Sequence, residues 1–496
     1  MGMKESFWTT LTLIFSATIF SGSHEVLAAS NKVTIYEGRN YELPDNLRTQ
    51  PNDATISYYY KKNDTLRYRT AEQYLIQPST QPYEFSRALE HNSRVENELA
   101  SRAIFSYLFY ENGVVVYDAL PPADRYEMVI DDESYFSSHS MGKSITSYLI
   151  GHAICDGYIE SIDTPIHDWD LMKDTLYYGQ PLINLLNMKA GDTNVIRKFS
   201  GKYTKTGRNI HGDAPLLRAT QNPDELKNTK PDKNPKWAYS NLTADVLTSY
   251  LMHRVGGDYD QFITNFYQNK VRIEYPVYLE MNPLVSNTWK PSTEDRIQQG
   301  AGRYGIFATR YDYLRIAKAM MDDWQNDTCE GRYLKEIYDR RISTGRRVGT
   351  WNKNDRSWGD PDFGIVSRKY GGQFWFNPVG LEERHIFIML GANGQSIVMD
   401  MDNSRIVVIS APTEKHYNTK KLSFDPIKYG RVKGKNILVK TDVKPIKGFK
   451  ERRVFDPTKI PSVTQVEVKI NMEPLEGPKN GCSDPMFAEM MGEKCK

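Results

Sequence analysis

The chain has 496 residues, 39% of them hydrophobic and 25% charged, with a formal net charge of +2. That length holds one large two-lobed domain or roughly two to three smaller ones, and the apolar content is ample for a core. The balanced charge gives no general drive toward nucleic acid, and none is expected as a partner. No H-E-x-x-H, paired C-x-x-C, P-loop or G-x-G-x-x-G pattern is present, so no metal or nucleotide cofactor is expected.

In chain order, Lys4 precedes an apolar run over 7–20, followed by Ser21-Gly22-Ser23 and the small-residue pattern Val26-Leu27-Ala28-Ala29. The run is shorter than the roughly 18 residues of a membrane span. Residues 1–29 therefore read as a signal peptide cleaved after Ala28 or Ala29, and the mature protein is expected in a bacterial periplasm or secreted. Residues 30–100 form an N-terminal extension with polar-aromatic stretches such as Tyr58-Tyr59-Tyr60-Lys61-Lys62, expected to pack across a sheet or cover a site. Residues 103–110 and 114–119 read as a hairpin joined by Glu111-Asn112-Gly113.

After a loop rich in Pro, Asp and Glu, the spacing of Met141, Ile145, Leu149 and Ala153 predicts a helix, with Ser137 and Ser138 as caps and Gly157 beyond its end. Ser140 and Lys143 then sit one turn apart, a hydroxyl beside an amine. Neither group is reactive in its ordinary state. Burial at the positive end of a helix favours the neutral amine, which can take the serine proton. A solvated Lys143 would instead interrupt the apolar face without a reason. His139 invites a Ser–His pair, but neighbouring helix side chains point apart, and Ser138-His139-Ser140-Met141-Gly142 lacks the first glycine of G-x-S-x-G.

Trp237-Ala238-Tyr239-Ser240-Asn241 occupies a polar loop after Pro231 and Pro235, before an apolar-periodic segment over 242–252. Alone, Tyr239 is one of 32 tyrosines and reads as packing, and Asn241 reads as a helix cap. Gly371-Gly372-Gln373-Phe374-Trp375-Phe376 reads as a strand whose Trp375 and Phe376 line a pocket or pack a sheet. Residues 385–390, 396–401 and 405–411 are strand-like runs broken by Gly391-Ala392-Asn393-Gly394-Gln395 and by Asp402-Asn403. One hairpin before a long, partly helical middle over about 160–360 and three strands after it predict one antiparallel sheet closed by both ends of the domain. The expected class is α/β (α+β), with helices flanking the sheet and a mostly helical lobe beside it.

From Pro412 the chain turns Lys-rich. This C-terminal extension over 412–496 reads as a solvated edge hairpin whose lysines discourage edge pairing, with contact to an anionic envelope polymer or lipid head groups as the alternative. Cys155 reads as a small core residue and Cys329 as part of a polar loop. Cys482 and Cys495 bracket a short loop and are expected to pair in an oxidising compartment, four free thiols being the alternative.

These motifs together resemble the serine β-lactamase and penicillin-binding-protein superfamily, particularly its class C-like branch with esterases and 6-aminohexanoate-dimer hydrolases. Ser140-Met141-Gly142-Lys143 resembles the family's S-x-x-K, and Tyr239-Ser240-Asn241 its Y-x-N. Leu185-Leu186-Asn187-Met188-Lys189-Ala190-Gly191 is similar to the L-L-x-M-x-S-G run between them. Residues 302–321, with Ala308-Thr309-Arg310 and Asp312, are similar to the helix after the second motif. Gly391 to Gln395 resemble the G-x-H-G-Q form of the third motif. The resemblance covers residues 101–411 and implies a β-lactamase-like serine hydrolase domain.

The third motif departs from the Lys-Thr-Gly of classical β-lactamases and transpeptidases, since Asn393 offers only an amide. Lys205-Thr206-Gly207 precedes Tyr239 in a loop without a strand pattern and reads as a chance match. The resemblance thus implies a small-molecule ester or amide substrate more than a lactam. It also implies roles: Ser140 as nucleophile, Lys143 or Tyr239 as base, Asn241 holding Lys143 and the substrate amide, and backbone N–H groups of Ser140 and Gln395 as oxyanion donors, with Asn393 and Gly394 beside them. Two alternatives stand beside it: a penicillin-interactive carboxypeptidase or β-lactamase, and a non-catalytic relative that binds a ligand in the same cleft.

Overall fold

The structure, a computed structural model, describes residues 72–101, 104–123, 125–126, 130–200, 226–281, 302–348, 367–378, 380–391, 394–411 and 420–433. The expected signal peptide, the 58–62 stretch, Lys205-Thr206-Gly207, Asn393, and the Lys-rich segment past 433 with Cys482 and Cys495 lie outside the described residues.

Strands β1 (Glu72–Ile76) and β2 (Ser86–Arg87) precede helix α1 (Ser93–Ser101). The expected hairpin forms as β3 (Ser106–Glu111) and β4 (Val114–Ala119), turning through Asn112 and Gly113, both at positive φ. Strand β5 (Tyr135–Ser137) runs into helix α2 (Met141–Cys155), which carries the S-x-x-K lysine. Next come α3 (Leu182–Leu186), α4 (Thr193–Ser200), α5 (Asn241–Val255) and α6 (Tyr259–Thr264). Strands β6 (Val277–Met281) and β7 (Gly302–Thr309) lead to α7 (Arg310–Asn326) and α8 (Cys329–Asp339). Strands β8 (Ile342–Val348), β9 (Ser367–Gly371), β10 (Phe374–Pro378), β11 (Ile386–Gly391), β12 (Gln395–Asp400) and β13 (Arg405–Ser410) follow, and α9 (Asp425–Lys433) comes last.

The large sheet has nine strands in the order β2-β4-β3-β13-β12-β11-β10-β9-β8, antiparallel except where β2 joins β4. Strand β3 pairs with β13, with Tyr107 opposite Ile409, so the first hairpin and the last strands do close the sheet. A second sheet, β1-β6-β7-β5, corrects the single-sheet expectation. Residues 302–309 are strand, where the sequence reading began a helix. The run Tyr-Gly-Ile-Phe-Ala-Thr suits a pleated, buried surface, and the helix waits for Thr309, whose hydroxyl accepts the Asp312 N–H at 3.3 Å.

Helix α2 touches β7 of the small sheet and β11 and β12 of the large one. It is buried almost throughout, from Met141 to Ala153. Its far end corrects the reading of the cysteines: Cys155 is joined to Cys329 in a disulfide spanning 174 positions. The physical reason is that α8 packs along α2. The Ser147 and Tyr333 hydroxyls lie 2.8 Å apart, and the Tyr333 ring occupies the space a side chain at Gly151 would need. Beside the disulfide, the His152 ring meets the Glu330 carboxylate at 3.2 Å and holds that carboxyl down at about 2.

Closing so long a loop removes much of the unfolded chain's freedom. Reducing the disulfide, or replacing Cys155 and Cys329 by Ser together, is expected to lower the unfolding free energy by about 3–5 kcal/mol. Denaturant titrations with and without reductant measure this, and identical midpoints would show that the two thiols are not joined.

Candidate active site

The turn before α2 is shaped by the small sheet. Strand β5 pairs with β7, placing Ser137 opposite Phe307. Ser138 donates its N–H to the Ile306 carbonyl at 2.8 Å and accepts the Ile306 N–H at its hydroxyl at 2.9 Å. The strand therefore takes the Ser138 hydroxyl, and neither Ser137 nor Ser138 caps the helix. His139 follows at φ +44, and Ser140, at φ −70, is itself the N-cap. Among the described residues no acceptor takes the Ser140 N–H, which leaves this donor at the positive end of α2.

Gly142 explains how close the sheet comes. A Cβ at that position would lie 1.8 Å from the Tyr304 carbonyl oxygen of β7. One residue on, Lys143 is 1% exposed and its Nζ is 2.9 Å from the Ser140 hydroxyl oxygen. The amine also lies 3.7 Å from the centroid of the Tyr304 ring and 4.8 Å from that of the Tyr239 ring.

Tyr239 is 6% exposed and shares a hydrogen bond with Ser140. Burial pushes its hydroxyl well above the ordinary phenol range, and the Ser140 bond pulls it only partly back. Its loop is held by the run that resembles L-L-x-M-x-S-G. Ala238 N–H donates to the Met188 carbonyl at 2.9 Å, and Ser240 N–H meets the Met188 sulfur at 3.2 Å. Ser240, and not Asn241, caps α5, accepting the Thr243 N–H at 3.0 Å. Asn241 is the first residue of that helix and is buried.

Beneath this loop lies Asp192, a residue the sequence reading missed. It is 2% exposed, and one of its oxygens accepts from the hydroxyls of Ser240 at 2.5 Å, Thr243 at 2.7 Å and Tyr177 at 2.9 Å. Burial raises its carboxyl above the ordinary range, while these hydroxyls pull it down in part. Its one signal in the sequence is its place directly after Gly191.

The β11–β12 hairpin closes the other side. A Cβ at Gly391 would lie 2.3 Å from the Ser138 carbonyl, so the bare backbone lets the hairpin sit on the turn that carries Ser140. Gly394 adopts φ +85, and Gln395 opposes Gly391 at the end of the ladder. The Gln395 side chain is fully buried and donates to the Ala411 carbonyl, which leaves only its backbone to the cleft side.

An aromatic wall completes the site. Trp375 stacks on Tyr239, with centroids 5.9 Å apart and planes 11° apart, and Tyr370 and Trp237 pack edge-on to Trp375 at 4.8 and 5.7 Å. Phe376 lies on the opposite side of β10, against Tyr338 and Phe387 at 5.3 and 4.8 Å. Strand alternation separates two residues that the sequence reading had grouped. Among the described residues no group of His, Cys, Asp and Glu is placed to hold a metal ion.

The chain has the β-lactamase-like fold. It is similar to a candidate 6-aminohexanoate-dimer hydrolase from Bacillus anthracis at 15% identity and a TM-score of 0.50, covering 74% of this chain and 91% of that one. It also matches a D-amino acid amidase from Ochrobactrum anthropi at 15% identity, with a TM-score of 0.43 and coverage of 65% and 91%. A penicillin-binding protein homologue from Pyrococcus abyssi matches at 15% identity and 0.43, over 66% and 73%. No protein-family model and no curated protein matches the sequence.

Two substitutions probe this packing. Gly142→Ala forces the Tyr304 carbonyl away and is expected to cost about 3 kcal/mol or more, at the upper end of overpacking, seen as a lower Tm. For Asp192 the sign follows from its raised carboxyl: between the unfolded value of about 4 and the raised folded value the folded state binds more protons, so the cost of the charge grows across that interval and is constant above it. Asp192→Asn removes that cost, so its Tm relative to wild type is expected to climb as pH rises from about 4 through the raised folded value and then to level off. A pH-independent difference would place the charge of Asp192 outside this balance.

Proposed function

We propose that the protein is an exported serine hydrolase that cleaves an ester or amide through an acyl-enzyme on Ser140. The observation that carries this reading is the contact of the Ser140 hydroxyl with both the buried Lys143 amine, at 2.9 Å, and the Tyr239 hydroxyl. In the first step the Ser140 proton passes to Lys143 as a neutral amine, and the serine oxygen bonds to the substrate carbonyl carbon. The carbonyl oxygen becomes an oxyanion, for which the Ser140 N–H is one donor and the Gln395 N–H the second, each contributing about 3–4 kcal/mol to transition-state stabilisation. As the carbonyl re-forms, the bond to the leaving group breaks, and that group takes the proton from Lys143 by way of Tyr239. Water then adds to the acyl carbon while its proton follows the same route back, and the acid leaves with Ser140 protonated again.

The raised Tyr239 hydroxyl supports the division of labour between the two candidate bases. A phenol that keeps its proton at neutral pH suits a relay, and in this reading Lys143, in contact with the Ser140 hydroxyl at 2.9 Å, takes the proton. The third motif supports the substrate class: without the lysine of Lys-Thr-Gly the site offers no dedicated charge there for a substrate carboxylate. The Cys155–Cys329 disulfide supports export, because such bonds persist in oxidising compartments.

The test is labelling by a fluorophosphonate, with the site located by mass spectrometry. Ser140→Ala is expected to lose the label, Lys143→Ala to slow it by at least about 10²-fold, and Tyr239→Phe by about 10–10²-fold. A fluorescent penicillin is expected to leave the protein unmodified; stable acylation of Ser140 by it would indicate a penicillin-recognising enzyme instead. Absence of label from every electrophile would sink the hydrolase reading and favour a ligand-binding protein.

A further inference from the structure

Tyr304 lies in the 302–321 stretch but is not one of the residues to which a role was given, yet its ring centroid lies nearer to the Lys143 amine than that of Tyr239, 3.7 Å against 4.8 Å. It arrives there for a backbone reason. Strand β7 can approach the start of α2 only because Gly142 has no side chain, its missing Cβ leaving room for the Tyr304 carbonyl. The ring of the same residue then covers the amine one position further along the helix. Two aromatic faces thus bracket one buried nitrogen, and an aromatic face carries the negative part of a quadrupole.

We infer that Tyr304 is a positioning residue for Lys143: its ring face holds the amine against Ser140 and stabilises the ammonium that forms when the serine proton is transferred. For its catalytic meaning this rests on the serine-hydrolase reading, but the contact itself does not. The proton leaves the Ser140 oxygen and becomes the third hydrogen on Nζ, and the positive charge so created lies against the rings of Tyr304 and Tyr239 on a side chain that is itself buried. A cation–π contact is favourable only in that charged state, so it strengthens as the transfer proceeds. Among the described residues, groups that face Nζ include Ser140 from its own helix, Tyr239 from the second-motif loop and Tyr304 from β7, with Tyr370 and Trp375 behind Tyr239.

The experiment reads the ionisation of Lys143 directly. The full chain is treated with trace acetic anhydride across a pH series, and acetylation of Lys143 is quantified by mass spectrometry against a free-amine standard. Wild type is compared with Tyr304→Phe, with Tyr304→Leu, and with phenylalanines of increasing ring fluorination at position 304. Fluorination weakens the quadrupole while nearly preserving shape, so the series remains informative if the leucine variant fails to fold. The midpoint of Lys143 ionisation is expected to hold within about 0.3 pH unit in Tyr304→Phe and to fall by about one unit in Tyr304→Leu, the size of shift a desolvated cation–π contact corresponds to. It is expected to fall stepwise along the fluorinated series. A midpoint indifferent to fluorination and to Tyr304→Leu would overturn the inference, as would a fall in Tyr304→Phe equal to that in Tyr304→Leu, which would assign the effect to the hydroxyl. Fluorophosphonate labelling of Ser140 in the same samples keeps the two readings apart: an unlabelled Ser140 with a shifting Lys143 midpoint defeats the hydrolase reading and leaves the Tyr304 contact standing.

Discussion

The contact on which the rest of the structure depends is a missing side chain. At Gly142 the first turn of α2 lies so near strand β7 that a methyl group would fall 1.8 Å from the Tyr304 carbonyl. The same device recurs around that helix. Gly391 admits the β11–β12 hairpin to the Ser138 carbonyl, and Gly151 admits the Tyr333 ring of α8. Three elements from distant parts of the chain thus close on this helix and the turn before it, β7 and the hairpin by backbone and α8 by the Tyr333 ring, and the helix has little freedom to shift. Preorganisation of that kind is what a nucleophile and its base require, because a displacement of about 1 Å costs orders of magnitude in rate.

Around that helix the polar chemistry divides into two buried centres. One is the Ser140–Lys143–Tyr239 cluster, walled by Tyr304, Trp375, Tyr370 and Trp237. The other is Asp192 with its three hydroxyl donors, one loop beneath the first. Ser240 joins them, because it lies between Tyr239 and Asn241 in sequence and gives its own hydroxyl to Asp192. In a low-dielectric interior each of these hydrogen bonds is stronger than in water, and each unmet one is costlier. The loop carrying Tyr239 is therefore fixed by satisfaction of a buried carboxylate as much as by apolar packing.

The scaffold beyond the site uses buried ion pairs to seat α7 on both sheets. Arg310, at the start of α7, reaches Asp118 on β4 and Asp132 before β5, the latter at 2.7 Å. Arg315, one turn later, bridges Asp312 at 2.8 Å and Glu274 at 2.6 Å. Such pairs add little net stability compared with apolar contacts, but loss of one partner leaves an uncompensated charge in the interior. They tie the helix that follows β7 to the large sheet and to the segment before β6, holding β7, and with it Tyr304, in register.

Much of this molecule was legible in local patterns. The β3–β4 hairpin announced itself through Asn112-Gly113, the α2 helix through its apolar spacing, and strands β11 to β13 through runs of Ile, Val and Met between turn residues. The pairing of Ser140 with Lys143 followed from helical period alone, since residues three apart are neighbours across a turn of about 3.6 residues. These features depend on neighbours in sequence, where propensity and period act directly. The second sheet, the Cys155–Cys329 bond, Asp192 and Tyr304 left no such trace. Each depends on which distant segments meet, as Cys155 and Cys329 do across 174 positions, and no local period encodes that meeting. Amino-acid order by itself determined the hairpin, the helix and the last strands, and the spacing that sets the Ser140 hydroxyl beside the Lys143 amine. Tertiary structure alone decided what surrounds them, because close approach at Gly142 and burial at Asp192 are properties of packed chains and not of sequence spacing.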